Sequence, residues 1–178
     1  MGDSAAQGLG ASKPDKGYVG LIAARMAEIS NEEIRVINLS VSGAKIQDVT
    51  SKQLPQLKEF PVENTLITLE IGANEMRAFD EQNFRADMDN LLSQMPKQTV
   101  VAEVPYFGGG RFRKYEPHVP VANAIIHELA AKYDFRVAPL YEVTKSRDNL
   151  LVYASDLFHP SNKGYRNWYE AFRQALSL

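Results

Sequence analysis

Two short runs of apolar residues, 65–71 and 99–104, constrain the fold of this chain more than any other feature of its sequence. Each is about as long as a buried strand, and neither shows the strict apolar–polar alternation of a half-exposed one. Such runs are typical of parallel strands covered on both faces, and parallel strands need long crossovers that are usually helical. The two runs therefore predict an α/β protein with a parallel sheet between two layers of helices.

Segments with helical spacing separate these strands, because their apolar residues recur every three or four positions. The predicted helices cover residues 16–30, 46–60, 84–95, 120–133 and 161–176. Pro55 is expected to bend or shorten the second helix. Two more short apolar runs, 34–39 and 135–138, are predicted strands. Without repeats or linkers, the order predicts one domain, 1–178, built as a three-layer α/β/α sandwich.

Composition argues against several classes of function, among them nucleic-acid binding and cysteine-based catalysis. The chain has 178 residues and a formal net charge of −2, with scattered rather than clustered Lys and Arg residues, which argues against a nucleic-acid partner. No apolar run approaches the roughly 20 residues of a membrane span. Cysteine is absent, which excludes disulfides and thiolate nucleophiles. Localisation stays open: cytoplasmic as the sequence stands, or secreted if a signal peptide has been removed.

Polar residues follow the predicted strands, at the edge where ligands bind in parallel α/β sheets. Gly43 comes after run 34–39, and Asn74 comes after run 65–71. Near the start of the chain lies the serine hydroxyl of Ser4, and near its end lie Asp156 and His159, three residues apart. We expect these residues to form one site.

This set meets the requirements of acyl transfer by serine. Ser4 is the predicted nucleophile, His159 the predicted general base, and Asp156 the carboxylate that orients the imidazole. The backbone N–H groups of Ser4 and Gly43 and the side-chain amide of Asn74 are the expected donors to the oxyanion. No cofactor and no metal is predicted.

In this order and spacing, Gly2-Asp3-Ser4, Gly43, Gly72-Ala73-Asn74-Glu75 and Asp156-Leu157-Phe158-His159 resemble the four blocks of the GDSL or SGNH hydrolase family. The resemblance spans the whole chain and implies a flavodoxin-like fold with a shallow active site. It also implies esterase, lipase, thioesterase or carbohydrate-deacetylase activity without a cofactor. Glu75 departs from the more common aspartate, which is expected to adjust loop packing. Family members also carry an apolar strand before Gly-Asp-Ser, so the first strand is expected to be missing or truncated.

The predicted function is therefore hydrolysis of carboxylic esters through an acyl-enzyme on Ser4. The expected substrates are short-acyl, carbohydrate or other small-molecule esters. An acyltransferase using the same acyl-enzyme, or a catalytically silent glycan-binding module, remains an alternative. The oligomeric state is not predicted.

Other titratable residues have less specific interpretations. Glu70 and Glu103 lie near the ends of strands that could be neighbours, so an acid/base pair as in glycoside hydrolases is conceivable. Hydrogen bonding to loop groups or an arginine partner is the favoured interpretation. His118 and His127 have no carboxylate at a useful spacing and are expected to be structural or exposed.

The segment 106–115 is rich in glycine and aromatic residues and is expected to be a mobile loop. One interpretation makes it a rim that contacts the substrate, with Arg111, Arg113 and Lys114 favouring an anionic one. The other makes it a solvated loop whose aromatic residues pack into the core.

Overall fold

Three strands form one parallel sheet in a computed structural model that describes residues 1–178. They are β1 (Ile67–Leu69), β2 (Thr99–Ala102) and β3 (Arg136–Ala138), in the spatial order β1-β2-β3. Thr68 lies opposite Val100, and Val101 lies opposite Val137. The parallel sheet predicted from the sequence is confirmed.

The central strand, β2, is buried along its whole length. Val101 belongs to the larger of two apolar clusters, whereas its neighbours Val100 and Ala102 belong to the smaller one. Successive side chains of a strand point to opposite faces, so β2 separates two cores. Burial on both faces explains why its sequence is apolar without alternation.

Helices cover both faces of the sheet. They are α1 (Ser4–Gln7), α2 (Tyr18–Ser30), α3 (Ile46–Asp48), α4 (Leu54–Leu57), α5 (Glu81–Leu92), α6 (Val119–Tyr133), α7 (Leu140–Ser146) and α8 (Asn162–Leu176). Apolar residues of α2 and α8 line the smaller core, and those of α5 and α6 line the larger one. The predicted three-layer arrangement is confirmed. None of the helices combines the length and the apolar character that crossing a bilayer requires.

The second predicted helix is interrupted where proline was expected to affect it. Helical structure runs from Ile46 to Leu57, but residues Val49–Gln53 form a π-helical turn just before Pro55. Proline has no N–H to donate and its ring crowds the preceding turn, which favours such local widening. The helix ends at Leu57 and does not reach residue 60.

The predicted strand at residues 34–39 is wrong. The segment pairs with no strand, and Val36 and Ile37 stay 47% and 40% exposed. A groove of about 420 Å³ lies between this segment and β1, so no backbone partner is within reach. Gly2 forms an isolated bridge to Glu70, just past the end of β1. On its other side, the Gly2 carbonyl accepts the N–H of Val41 at 3.1 Å. Pairing at this edge of the sheet is thus limited to a single bridge.

Candidate active site

Residues 155 positions apart in the sequence meet beyond the carboxyl end of β1. The Ser4 hydroxyl lies 2.9 Å from Nε2 of His159, and Nδ1 of His159 lies 2.5 Å from Oδ2 of Asp156. A proton on Nδ1, held by the carboxylate, leaves Nε2 free to accept the hydroxyl hydrogen. This arrangement can activate a serine hydroxyl as a nucleophile.

Local turns hold both ends of this chain of contacts. Ser4 is the first residue of α1, and Asp3 caps that helix by accepting the N–H of Ala5 at 2.9 Å. At the other end, Oδ1 of Asp156 accepts the backbone N–H groups of Phe158 and His159, each at 3.0 Å. The turn explains how a three-residue separation brings the carboxylate to its own imidazole.

Asp156 is held in its charged form. Partial burial works to raise its pKa, but hydrogen bonds from the His159 ring and from the Phe158 and His159 backbone together leave it below the ordinary value. An ionised Asp156 accepts the Nδ1 proton and stabilises an imidazolium when one forms. The electrostatics of the pair are therefore those of a general base with its orienting carboxylate.

Asn74 lies between the two backbone segments expected to form the oxyanion hole. Its amide nitrogen donates to Oδ2 of Asp3 and to the carbonyl of Ala44, both at 3.0 Å. Asp3 and Ala44 directly neighbour Ser4 and Gly43 in the sequence, so the Asn74 amide links the segments that carry the other two predicted donors. Gly43 adopts a left-handed backbone with a φ of 79°, and its N–H has no partner within the protein.

Glu75, the residue that departs from the family pattern, accepts the N–H of Ile46 at 2.7 Å.

A second carboxyl group, that of Glu70, lines the same cavity as Ser4 and was not predicted to belong to this site. Glu70 is 1% exposed and lines the same cavity as Asp3, itself 2% exposed. Burial and the neighbouring Asp3 charge raise the pKa of Glu70 well above its ordinary value. Burial also raises the pKa of Asp3, although the N–H of Ala5 works in the opposite direction. Burial and mutual repulsion therefore work against ionisation of both carboxyl groups at once.

A cavity of about 50 Å³ opens beside Ser4 and His159. The glycine-rich loop contributes Tyr106, Phe107 and Phe112 to its wall, and Phe158 packs edge-on against Phe112 at 4.3 Å between ring centroids. The loop thus borders the cavity and also packs its aromatic residues against one another and against Phe158. Backbone hydrogen bonds tie it down, including Arg111 N–H to the Leu157 carbonyl at 2.8 Å.

The remaining candidates lie elsewhere. Arg111, Arg113 and Lys114 are absent from the cavity wall, so they do not give the site a cationic lining. Glu103 does not meet Glu70; it lies 2.6 Å from Nε2 of His127 and accepts the N–H of Tyr141. Glu103 is distant from His127 in the sequence, and the His127 side chain stays 54% exposed, as expected. No group of three or more His, Cys, Asp or Glu side chains is arranged to hold a metal ion.

Gly10 packs against the turn that carries His159, and we expect Gly10→Ala to impair both stability and catalysis. A Cβ there would lie 2.5 Å from the Pro160 carbonyl oxygen and 2.9 Å from Cβ of His159, on a backbone with a φ of +89°. Backbone strain and overpacking together should lower the free energy of unfolding by about 2–4 kcal/mol. Displacing the imidazole should lower kcat by about 10- to 100-fold. Thermal unfolding and ester hydrolysis measure the two effects.

Gly8→Ala is the matched control for Gly10→Ala. Gly8 has a similar φ of +86°, but its nearest contact for a Cβ would be 3.8 Å away. Gly8→Ala should lower the free energy of unfolding only by the cost of the left-handed backbone, about 1–2 kcal/mol, and should keep its activity. Equal losses in the two variants would show that contact with the His159 turn does not matter.

The comparisons with known proteins fit this geometry. The sequence model of the GDSL-like lipase/acylhydrolase family matches residues 1–166. A search of curated proteins finds no significant match. Among solved structures, an acetylxylan esterase from Geobacillus stearothermophilus is 18% identical with a TM-score of 0.80, over 99% of this chain and 92% of the esterase. A lipase/acylhydrolase from Enterococcus faecalis is 19% identical with a TM-score of 0.80, over 98% and 92% of the two chains.

Proposed function

Because the chain belongs to the GDSL-like lipase/acylhydrolase family and is a hydrolase, we propose that it cleaves carboxylic esters of short, neutral acyl groups. This proposal rests on two consecutive hydrogen-bonding contacts, from the Ser4 hydroxyl to Nε2 of His159 and from Nδ1 of His159 to Asp156. The same contacts favour an enzyme over a silent glycan-binding module, which has no use for an activated hydroxyl.

The first half of the reaction forms an acyl-enzyme. Oγ of Ser4 attacks the ester carbonyl carbon as its proton passes to Nε2 of His159. The resulting imidazolium, stabilised by Asp156, then gives this proton to the leaving alcohol oxygen as the carbon–oxygen bond breaks. The alcohol departs, and the acyl group remains on Ser4.

The second half repeats these proton transfers with water. Nε2 of His159 takes a proton from water as the water oxygen attacks the acyl carbon. The same proton then returns to Oγ of Ser4, which leaves as the free hydroxyl, and the carboxylic acid is released. Negative charge develops on the carbonyl oxygen in both halves. We assign its stabilisation to the N–H groups of Ser4 and Gly43 and to the amide of Asn74, which must share a hydrogen it now gives to Asp3 or Ala44.

The cavity beside the nucleophile supports a short acyl group. The cavity volume is about 50 Å³, whereas one water molecule requires about 10–15 Å³. The cavity therefore admits only a few non-hydrogen atoms. Its wall includes Asp148, which accepts the hydroxyl hydrogen of Tyr153 at 2.7 Å and would repel an anionic acyl group. The wall also includes several aromatic residues, among them Tyr106, Phe112 and Trp168. These features favour an acetyl or similarly small, uncharged acyl group.

A series of p-nitrophenyl esters tests this proposal, with the wild type expected to hydrolyse the acetyl ester and to lose kcat/KM as the acyl chain lengthens. Phe112→Ala should enlarge the cavity and raise the octanoyl-to-acetyl ratio of kcat/KM by about 10-fold, since each added methylene that becomes buried contributes about 0.8 kcal/mol. Tyr115→Ala is the control, because Tyr115 stacks on Phe112 outside the cavity wall. No hydrolysis of any ester would contradict the proposed reaction. An unchanged ratio in Phe112→Ala would contradict only the assignment of the acyl pocket.

A further inference from the structure

The Glu70 carboxyl group is buried at the floor of the site and takes no part in the proton transfers just described. Neither of its oxygens receives a hydrogen bond from an N–H or hydroxyl donor. The nearby carboxyl group is that of Asp3, which lines the same cavity and directly follows Gly2, whose backbone bridges to Glu70. Two carboxylates are both acceptors, so these two groups can form a hydrogen bond only when one of them carries a proton.

The proton belongs on Glu70. Asp3 accepts two hydrogen bonds, from the N–H of Ala5 at 2.9 Å and from the amide of Asn74 at 3.0 Å, and both stabilise its ionised form. Glu70 accepts none, and an isolated buried carboxylate costs several kcal/mol. A positive charge on the α-amino group of Met1 would lower the pKa of Glu70. Burial lowers the pKa of this amino group to about 6, however, so it is largely uncharged at neutral pH.

We propose that Glu70 is a positioning residue: as a neutral acid it donates a hydrogen bond to Asp3, and Asp3 in turn holds the Asn74 amide and the first turn of α1. Asp3 thereby links the nucleophile to an oxyanion donor, since Ser4 begins that helix. Without the Glu70 hydrogen bond, Asp3 loses one of its three partners. The catalytic part of this proposal rests on the proposed function.

Glu70 is surrounded by other titratable groups, which any pH-dependent measurement must take into account. They are Asp3, Glu75, Tyr18, Tyr165 and the α-amino group of Met1. A second Glu, Glu103, is comparably buried beyond the neighbouring strand, but it contacts His127 and Tyr141 rather than Asp3. It offers a matched position for substitution.

Two substitutions separate hydrogen bonding from packing. Glu70→Gln keeps the shape and an N–H donor toward Asp3, so it should retain most of the wild-type kcat. Glu70→Leu keeps the volume but donates nothing, so kcat should fall by about 10- to 100-fold with little change in KM, as when an oxyanion donor is displaced. Glu103→Leu should lose stability but keep the kcat of the folded protein. Circular dichroism verifies that each variant is folded.

Coupling to Asn74 supplies a readout that loss of packing would not move. If Glu70 acts through the Asn74 amide, Glu70→Leu should lower kcat little further in an Asn74→Ala background. Full additivity of the two effects would overturn the proposal. So would a Glu70→Gln variant as slow as Glu70→Leu.

Infrared difference spectroscopy tests the proton without any turnover. The wild type minus Glu70→Gln spectrum at neutral pH should contain the carbonyl band of a protonated carboxylic acid, whereas the wild type minus Glu103→Leu spectrum should not. Absence of this band from the Glu70 difference would overturn the proposal. If the wild type hydrolysed no ester, the proposed function would fail on its own, and the infrared result would still decide whether Glu70 is the neutral partner of Asp3.

Discussion

Ser4→Ala is expected to lower kcat for a p-nitrophenyl ester by about 10⁴- to 10⁶-fold without unfolding the protein. The hydroxyl is the only group within 2.9 Å of Nε2 of His159 that can form the acyl-enzyme. The change removes one small oxygen in a helix whose first turn is held by Asp3, so the helix should persist. Burst kinetics and circular dichroism measure the two expectations.

Covalent labelling ties this loss to the nucleophile. A fluorophosphonate should form one adduct with the wild type, located on Ser4 by mass spectrometry, and none with Ser4→Ala. Ser12→Ala is the control, because Ser12 accepts a hydrogen bond from Asn162 on the surface and contacts no imidazole. Substantial turnover in Ser4→Ala, or an adduct on another residue of the folded wild type, would refute the assignment.

The parts of this molecule that were predictable are those whose geometry is local. Asp156 and His159 lie within one turn, and the hydrogen bonds of Asp156 to the backbone of that turn fix their contact. Strand β2 is buried along its whole length and β1 at two of its three residues, so their apolar runs identify them directly. The final helix was predicted from residue 161, and Ser161 caps α8 because its hydroxyl accepts the N–H of Gly164 at 3.3 Å.

The parts that were not predictable depend on partners distant in the sequence. Residues 34–39 have strand composition, yet a strand also needs a neighbour, and a groove lies where that neighbour would be. Helix α7 is only seven residues long, too short for a clear period. Glu70 meets Asp3 only because Gly2 bridges to the end of β1, so no spacing in the sequence reveals the pair.

His159→Ala is expected to cost as much as Ser4→Ala, about 10⁴- to 10⁶-fold in kcat, because the two residues act as one unit. The Ser4/His159 double variant should therefore be little slower than either single variant. His127→Ala is a close control: His127 also pairs with a carboxylate, Glu103, at 2.6 Å, but no serine hydroxyl lies on its other side. It should retain wild-type turnover and fluorophosphonate labelling, whereas His159→Ala should label far more slowly. If the losses from Ser4→Ala and His159→Ala were instead additive, the imidazole would act on a step other than activation of Ser4, and the acyl-enzyme mechanism would need a different base.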